Sequence, residues 1–551
     1  MIIKETFASA LQHHQKNNLK EAENLYKKIL EIDPNHFKSI LHLGLLSIQI
    51  KNFDRAIQLF NKAIEIHPNQ ANAYHNLGYI FTELGEYKKA ITFYQKAIQI
   101  QPNYAEAHYN LGNVFKQLGE FQKAKSSYQK AIQIQPNNAN IHNNLGNVFK
   151  QLGEYQKVIT SYQKAIQIQS NHKKAHFNLG NVFKQLGEFK KAAGSYQKAL
   201  EYEPDNLETL YNLSDLNKKI LNSNTKSKIK KILKNKNSTK KNIAYGNFLL
   251  SRYELKGKNY EKEFNYLLEG HLHWFESKKK FFEMGINYFL DQLPNVKELF
   301  NLNKSYKTNI KINHKIKPIF IIGVPRCGST IVEKIIASGA KSISIGEETG
   351  ILSAFVRERL HKEKSLNLNM KNFQTEIIEG YKQKGLIQEK NDYIFTDKSL
   401  ENFFYISLIK EIFPNAKVIN CRRNALSSIM SILKNNLGQV SWAHNLKHIF
   451  QCFDIYYRII ENFNKRFPNY IYELQFEKFV NKPEIEAKKL MKFCDLQWDK
   501  KCLEFYKRKD LISQTASNIQ IRRAIYKDSI HKYLPYKKFL KEYADQYHWF
   551  N

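Results

Sequence analysis

Two stretches of the sequence carry residue types at the spacing that anion chemistry needs. In the first, Gly323-Val324-Pro325-Arg326-Cys327-Gly328-Ser329-Thr330 follows a short apolar run at 318–322 and precedes a helical pattern at 331–337. A strand, a glycine-rich loop and a helix start, in that order, present backbone N–H groups and the positive end of a helix to phosphate oxygens. The spacing matches GxxxxGK[ST], except that Ser329 stands where the lysine for β/γ-phosphates belongs and Arg326 sits inside the loop. Such a loop keeps the cradle but loses its grip on a nucleoside triphosphate, so a single terminal phosphate is the better ligand. In the second stretch, a strand-like run at 416–420 leads to Cys421-Arg422-Arg423 and a helical segment through Ser431. Arg423 then stands at the carboxyl end of a parallel strand, where open α/β sheets bind ligands. Ser431 comes eight residues later, about two helical turns. Guanidinium fork and hydroxyl together make a clamp for a second phosphate. The alternative is a surface arginine pair beside a helix-interior serine, which is the better reading if the first loop holds no phosphate.

These loops require a parallel sheet to carry them, and the rest of the chain supplies a second architecture. Residues 69–102, 103–136, 137–170 and 171–204 are near copies with a period of 34. In the second copy Leu111, Gly112 and Phe115 belong to a first helix, and Gly119 marks the turn. Ala124, Tyr128 and Ala131 follow on a second helix, which Pro136 ends. The small Gly112 and Ala124 let two helices approach, and aromatic rings fill the seam. Weaker copies occupy 1–34 and 35–68, and 205–220 opens a truncated one. This spacing matches the tetratricopeptide repeat, so 1–220 is expected to form an all-α, right-handed solenoid with a concave groove.

One polar position recurs in the array: Asn76, Asn110, Asn144, Asn178 and Asn212 stand one period apart, with Asn113, Asn147 and Asn181 three residues beyond the middle three. Both rows share a face of the first helix. A side-chain amide donates and accepts, so such a ladder can hold the backbone of an extended peptide whatever its sequence. The plainer alternative is a solvent-facing residue copied along with the repeat. Residues 221–310 read as a helical linker or bridging region: 221–241 is polar and basic, whereas Phe248, Tyr253, Tyr260, Phe264 and Leu267 have helical spacing and read as core.

Lys+Arg number 86 against Asp+Glu 51, a formal charge of +35. A field of that size suits nucleic acid, an anionic membrane or an acidic substrate. Most of the surplus lysine lies outside any motif, so nucleic acid is not the expected partner. Apolar residues at 42% are ample for packed cores and exclude a disordered chain. The five cysteines, Cys327, Cys421, Cys452, Cys494 and Cys502, form no CxxC pair and fit a reducing compartment. No apolar run approaches the ~20 residues that span a bilayer, and the expectation is a soluble, cytoplasmic protein. The histidines are scattered, and no metal site is expected.

Taken together, the two phosphate motifs resemble those of sulfotransferases. The stretch from residue 318 to the acidic pair looks like their 5′-phosphosulfate loop, and the stretch containing Thr396-Asp397-Lys398 and Arg423 looks like the segment with their 3′-phosphate site. Bacterial sulfotransferases fused to tetratricopeptide repeats are the closest type, and the ladder is similar to the asparagine ladder of O-linked N-acetylglucosamine transferase. The resemblance implies an α/β P-loop-type sulfotransferase domain with a parallel sheet over 311–551, and 3′-phosphoadenosine-5′-phosphosulfate as sulfuryl donor without a metal. By the same resemblance Arg326 and the amides of Cys327, Gly328, Ser329 and Thr330 hold the 5′-phosphosulfate. Arg423 and Ser431 take the 3′-phosphate, and Lys398 neutralises charge on the transferring group. Lys532 lies near the cofactor, and Arg522 and Ser529 close over the nucleotide.

Gly346-Glu347-Glu348-Thr349 matches the GEET of tyrosylprotein sulfotransferases, whose second Glu is the general base. Glu348 is therefore favoured, with Glu347 left open because bacterial relatives carry a single GE. The departures are Asn424-Ala425 after Arg423, Leu400 in place of a proline, and Phe476 in place of a tyrosine, which removes a hydrogen bond worth about 0.5–1.5 kcal/mol. The expected acceptor is a polypeptide hydroxyl held in the repeat groove, tyrosine-like. A glycan or lipid-linked saccharide, a non-catalytic scaffold that binds protein partners, and an atypical nucleotide kinase stand as alternatives.

Overall fold

The 34-residue period folds as helix pairs. A computed structural model describes residues 2–300, 316–339, 343–363, 370–387, 393–508, 519–525 and 530–550. The chain divides into two compact units, Met1–Val182 with Glu201–Glu203, and Phe183–Leu200 with Pro204–Asn551. In the first unit the helices Ala105–Gln117 and Phe121–Ile134 show how one copy works. Gly112 faces Tyr128 so closely that a Cβ there would lie 2.8 Å from the ring, and Tyr128 is fully buried as a result. The same glycine–tyrosine contact recurs one period on, at Gly146 and Tyr162.

The asparagine row is bonded along the array. Asn110 Nδ2 lies 2.9 Å from His75 Nε2, Asn144 Nδ2 donates to Tyr109 Oη at 2.9 Å, and Asn178 Nδ2 donates to Asn143 Oδ1 at 3.0 Å. Each therefore reaches the residue just before the previous rung. In the second row Asn113 and Asn147 accept the hydroxyl protons of the buried Tyr128 and Tyr162 at 2.7 and 2.8 Å.

The second unit holds the α/β core. Five strands, β1 (Ile316–Ile322), β2 (Ser344–Ile345), β3 (Tyr393–Asp397), β4 (Lys417–Arg422) and β5 (Ile471–Gln475), form one sheet in the order β2-β3-β1-β4-β5. Every pairing is parallel. This is why the apolar runs read as nearly continuous: a parallel sheet is covered on both faces, and Ile319–Ile322 is at most 1% exposed. From β1 the chain steps to the β2 side and from β4 to the β5 side, so a topological switch point lies between β1 and β4, the usual place for a ligand crevice.

The helices Lys240–Lys256 and Tyr260–Ser277 belong to the same hydrophobic core as the sheet. Phe248, Phe264 and Leu267 are buried there, and Tyr253 and Tyr260 pack against it partly exposed, as their spacing predicts. The basic stretch that reads as a linker or solvated helix forms the helix Ser223–Lys234, with only Ile229 and Ile232 buried. Within this core His271 and His444 meet at 3.0 Å through their Nδ1 atoms. His271 Nε2 also bonds the Leu433 carbonyl at 2.8 Å, so Nε2 carries the proton and Nδ1 accepts from His444. Among the described residues no helix is long and apolar enough to cross a membrane.

Candidate active site

The parallel sheet brings the separated motifs to one edge. Phe320 pairs with Asp397, Ile322 with Asn420 and Ile345 with Thr396. The segments starting at Gly323, Gly346, Lys398 and Arg423 therefore all leave the carboxyl ends of adjacent strands. The helix Ser329–Ala337 starts directly after the first of these, with its N-terminal dipole at that edge.

At the switch point lies a cleft of about 230 Å³, whose lining includes Arg326, Gly328, Ser329, Thr330, Arg423, Ser431 and Lys532. Arg326 Nε donates to Ser431 Oγ at 3.0 Å, and Nη2 donates to Gln520 Oε1 at 3.0 Å. Arg326 has φ of +69°, a left-handed conformation that costs an L-residue about 1–2 kcal/mol. Arg423 Nη1 holds that backbone by donating to the Arg326 carbonyl at 3.0 Å. Phe476 lies against both Arg423 and Gly328: its ring centroid is 4.9 Å from the Arg423 guanidinium carbon, and a Cβ on Gly328 would run into the ring. The position that lacks the tyrosine hydroxyl thus still acts as a wall for the loop. Cys327, expected to offer its amide to the donor, is buried under the loop with its N–H donated to the Val324 carbonyl at 3.3 Å, and it does not line the cleft.

A second group of charges sits at the β2 and β3 ends. Lys398, 2% exposed, lies with Nζ 3.4 Å from Glu348 Oε1. Lys334, 1% exposed, lies with Nζ 3.1 Å from Glu347 Oε1 and 3.8 Å from Glu333 Oε2. Glu333 is fully buried, and its Oε1 accepts from the Glu347 N–H at 3.1 Å and from Thr396 Oγ1 at 2.7 Å. Burial alone favours a neutral Lys398, but the carboxylates of Glu333, Glu348 and Glu347 outweigh it and hold the ammonium above its ordinary pKa. Burial pushes the Glu333 carboxyl up, opposed by Lys398 and Lys334.

The two candidate bases separate by burial. Glu347 is 16% exposed and occupied by Lys334, with φ of +52° and its backbone clamped by Glu333 and by the Lys398 N–H at 2.8 Å. Glu348 is 45% exposed, with Lys398 beside it. The Thr349 hydroxyl donates to Asp397 at 2.5 Å, and Tyr381, Asn402 and the Ser399 N–H and hydroxyl donate to the same buried carboxylate at 2.7–3.0 Å. Asp397 thereby ties the GEET turn to the end of β3.

Of the residues marked in the sequence, the cleft collects Arg326, Gly328, Ser329, Thr330, Arg423, Ser431 and Lys532. Glu348 and Lys398 stand together at the neighbouring strand ends. Arg522 is not part of this lining: its Nη1 donates to the Arg508 carbonyl at 2.7 Å, and Arg523 lines the cleft instead. Ser529 lies outside the described residues. Asn212 departs from the ladder pattern, accepting from Lys184 Nζ at 3.1 Å and donating to the Glu208 carbonyl at 3.1 Å. The sequence reading missed Glu333, Lys334, Lys434, Gln520 and Arg523. A helix-face count from Ser431 reaches Lys434, but no local signal marks the others.

Residues 318–500 match the sulfotransferase family. Residues 78–119, 112–153 and 146–187 match TPR repeat, and 13–78 and 174–206 match tetratricopeptide repeat. The chain carries an array of tetratricopeptide repeats followed by a sulfotransferase-family domain. An uncharacterized protein of Aquifex aeolicus (strain VF5) is 29% identical over 315 residues, 55% of this chain and 41% of its own. Protein-tyrosine sulfotransferase A of Caenorhabditis elegans is 24% identical over 226 residues, 37% of this chain and 56% of its own. The chain thus spans about half the length of these curated relatives. Among solved structures, the crystal structure of MamA protein is 28% identical, covering 30% of this chain and 92% of its own with a TM-score of 0.28.

Proposed function

We propose that the protein transfers a sulfuryl group from 3′-phosphoadenosine-5′-phosphosulfate to a hydroxyl of a polypeptide, tyrosine-like, held by the repeat groove. The observation that carries this reading is the joint placement of a cation-lined cleft and an accessible carboxylate on a buried lysine along one sheet edge. Arg326, the amides of Gly328–Thr330 and the helix N-terminus suit the 5′ end of the donor, and Arg423 with Ser431 suits the 3′-phosphate. The acceptor oxygen bonds to sulfur as the bond from sulfur to the 5′-phosphate oxygen breaks. Glu348 takes the acceptor proton, and Lys398 with Arg326 offsets the charge that grows on the leaving oxygen. In-line transfer of this kind relies on positioning and charge rather than on a covalent intermediate.

The polypeptide acceptor is favoured by the similarity to a protein-tyrosine sulfotransferase and by Asn76, Asn110, Asn144, Asn178 and Asn212. Because the amide N–H groups of Asn110, Asn144 and Asn178 bond between repeats, a held peptide meets their carbonyl oxygens, each with a second lone pair. Five free, buried cysteines go with a cytoplasmic setting. The test supplies labelled donor to the full chain with pools of peptides and saccharides. Label on tyrosine peptides, lowered by Asn110→Ala with Asn144→Ala, is expected. Label on saccharides alone moves the acceptor to a glycan, and no label on any pool defeats the enzyme reading.

A further inference from the structure

We propose that Lys434 is a second cation, beside Arg423, for the 3′-phosphate of the nucleotide, held at the cleft by a buried pair, Glu263 and Tyr536, from two other parts of the second unit. The inference rests on the reading of the cleft as a phosphosulfate-nucleotide site. Lys434 ends the helix Ala425–Lys434, which follows β4. Ser427, Ser431 and Lys434 fall at i, i+4 and i+7, one face of that helix, and all three line the cleft together with Arg423.

The lysine is anchored from behind. Its Nζ lies 3.0 Å from Glu263 Oε1 and 2.8 Å from Tyr536 Oη, and the Tyr536 hydroxyl donates to Glu263 Oε2 at 2.5 Å. Glu263 comes from the helix Tyr260–Ser277 and is 1% exposed, and Tyr536 closes the turn Leu534–Tyr536. The ammonium also lies 4.4 Å from the Tyr536 ring centroid. These contacts use two of its three N–H donors on a side chain that stays 26% exposed and borders the cleft.

Structure alone does not account for the arrangement. A buried ion pair is seldom more stabilising than apolar residues of the same volume, and here one member is left facing a cavity. Arg326, Arg423, Lys434, Arg523 and Lys532 all line this space, and among the described residues no carboxylate lines it with them. Burial and the nearby Lys532 lower the pKa of Lys434, against the pull of Glu263. Like charges gathered round one cavity are relieved when a polyanion occupies it, and the position of Lys434 one turn beyond Ser431 assigns it to the 3′ end.

Calorimetric titration of the full chain with adenosine 3′,5′-bisphosphate and with adenosine 5′-phosphosulfate, which lacks the 3′-phosphate, tests this. Loss of one charge-assisted hydrogen bond in Lys434→Met is expected to weaken the bisphosphate about 10–100-fold. Binding of the 5′-phosphosulfate should change by less than roughly threefold, since it makes no such contact. Unchanged bisphosphate affinity, or equal losses for both ligands, overturns the assignment while leaving the nucleotide reading intact. Lys434→Met with Glu263→Gln leaves no buried carboxylate and carries the test if the single variant does not fold. A native chain that binds neither nucleotide overturns the reading of the cleft, and this inference with it.

Discussion

Glu347 and Glu348 are neighbours in sequence, yet their substitution should have opposite consequences. Glu347→Ala removes the close partner of Lys334, which is 1% exposed and also lies 3.8 Å from Glu333. Breaking a buried pair from one side costs about 3–5 kcal/mol, because the remaining charge is stranded. Glu347→Gln retains an oxygen facing Lys334 and should lose part of that. Glu348 is 45% exposed and 3.4 Å from Lys398, which is buried but keeps the carboxylates of Glu333 and Glu347 to offset its charge, so Glu348→Gln should cost less stability than Glu347→Ala. Its effect should fall on transfer, where removing a general base lowers the rate about 10²–10⁴-fold. All four tryptophans, Trp274, Trp442, Trp498 and Trp549, lie in the second unit, so urea unfolding followed by their fluorescence reports that unit without signal from the first. Sulfuryl transfer from labelled donor supplies the second axis. If Glu347→Gln abolishes transfer at unchanged stability while Glu348→Gln stays active, the assignment by burial is wrong and Glu347 is the base.

Three further outcomes follow from the same contacts. Glu333→Gln removes the first of the carboxylates that raise the Lys398 pKa, so the alkaline limb of the pH–rate profile should move to lower pH; an unmoved limb separates Glu333 from Lys398. Burial lowers the His271 pKa from 6.5 to about 4, so the unfolded chain takes up a proton that the folded one refuses, and stability is complete above about pH 6.5 and lost as pH falls towards 4. The shift corresponds to about 3 kcal/mol, and His271→Phe should reduce the slope of the unfolding free energy across that window, leaving the part due to His444, whose pKa burial also lowers. Gly328→Ala forces a Cβ into the Phe476 ring at φ of +105°, and calorimetry should show nucleotide binding lost with the far-ultraviolet spectrum retained.

Much of the architecture is legible along the chain because it depends on local order. A period of 34 with small and aromatic residues at fixed offsets admits helix pairs only, and an apolar run, a glycine loop and a helix start admit a strand that presents an anion cradle. Arg326 and Arg423 could be marked because each follows a strand-like run, and parallel strands deliver their carboxyl ends to one edge, whereas Glu348 and Lys398 are marked by the resemblance of their motifs to those of sulfotransferases. The asparagine row was equally visible, but its bonding to the preceding repeat depends on a neighbour 35 residues back, as with Asn110 and His75.

Packing decided what spacing could not. Which of two adjacent glutamates is buried depends on Lys334 and Glu333, one turn of helix on another element, and nothing in Gly346-Glu347-Glu348-Thr349 encodes it. Arg522 and Arg523 are likewise equivalent as neighbours in sequence, until the fold turns one to the Arg508 carbonyl and the other to the cleft. Glu263 and Lys434 are distant in sequence and become a pair only when a helix from the bridging region packs beside the sheet. The physical reason is the same in each case: local order sets which face of an element a residue occupies, whereas desolvation and charge pairing depend on what the rest of the chain places against that face.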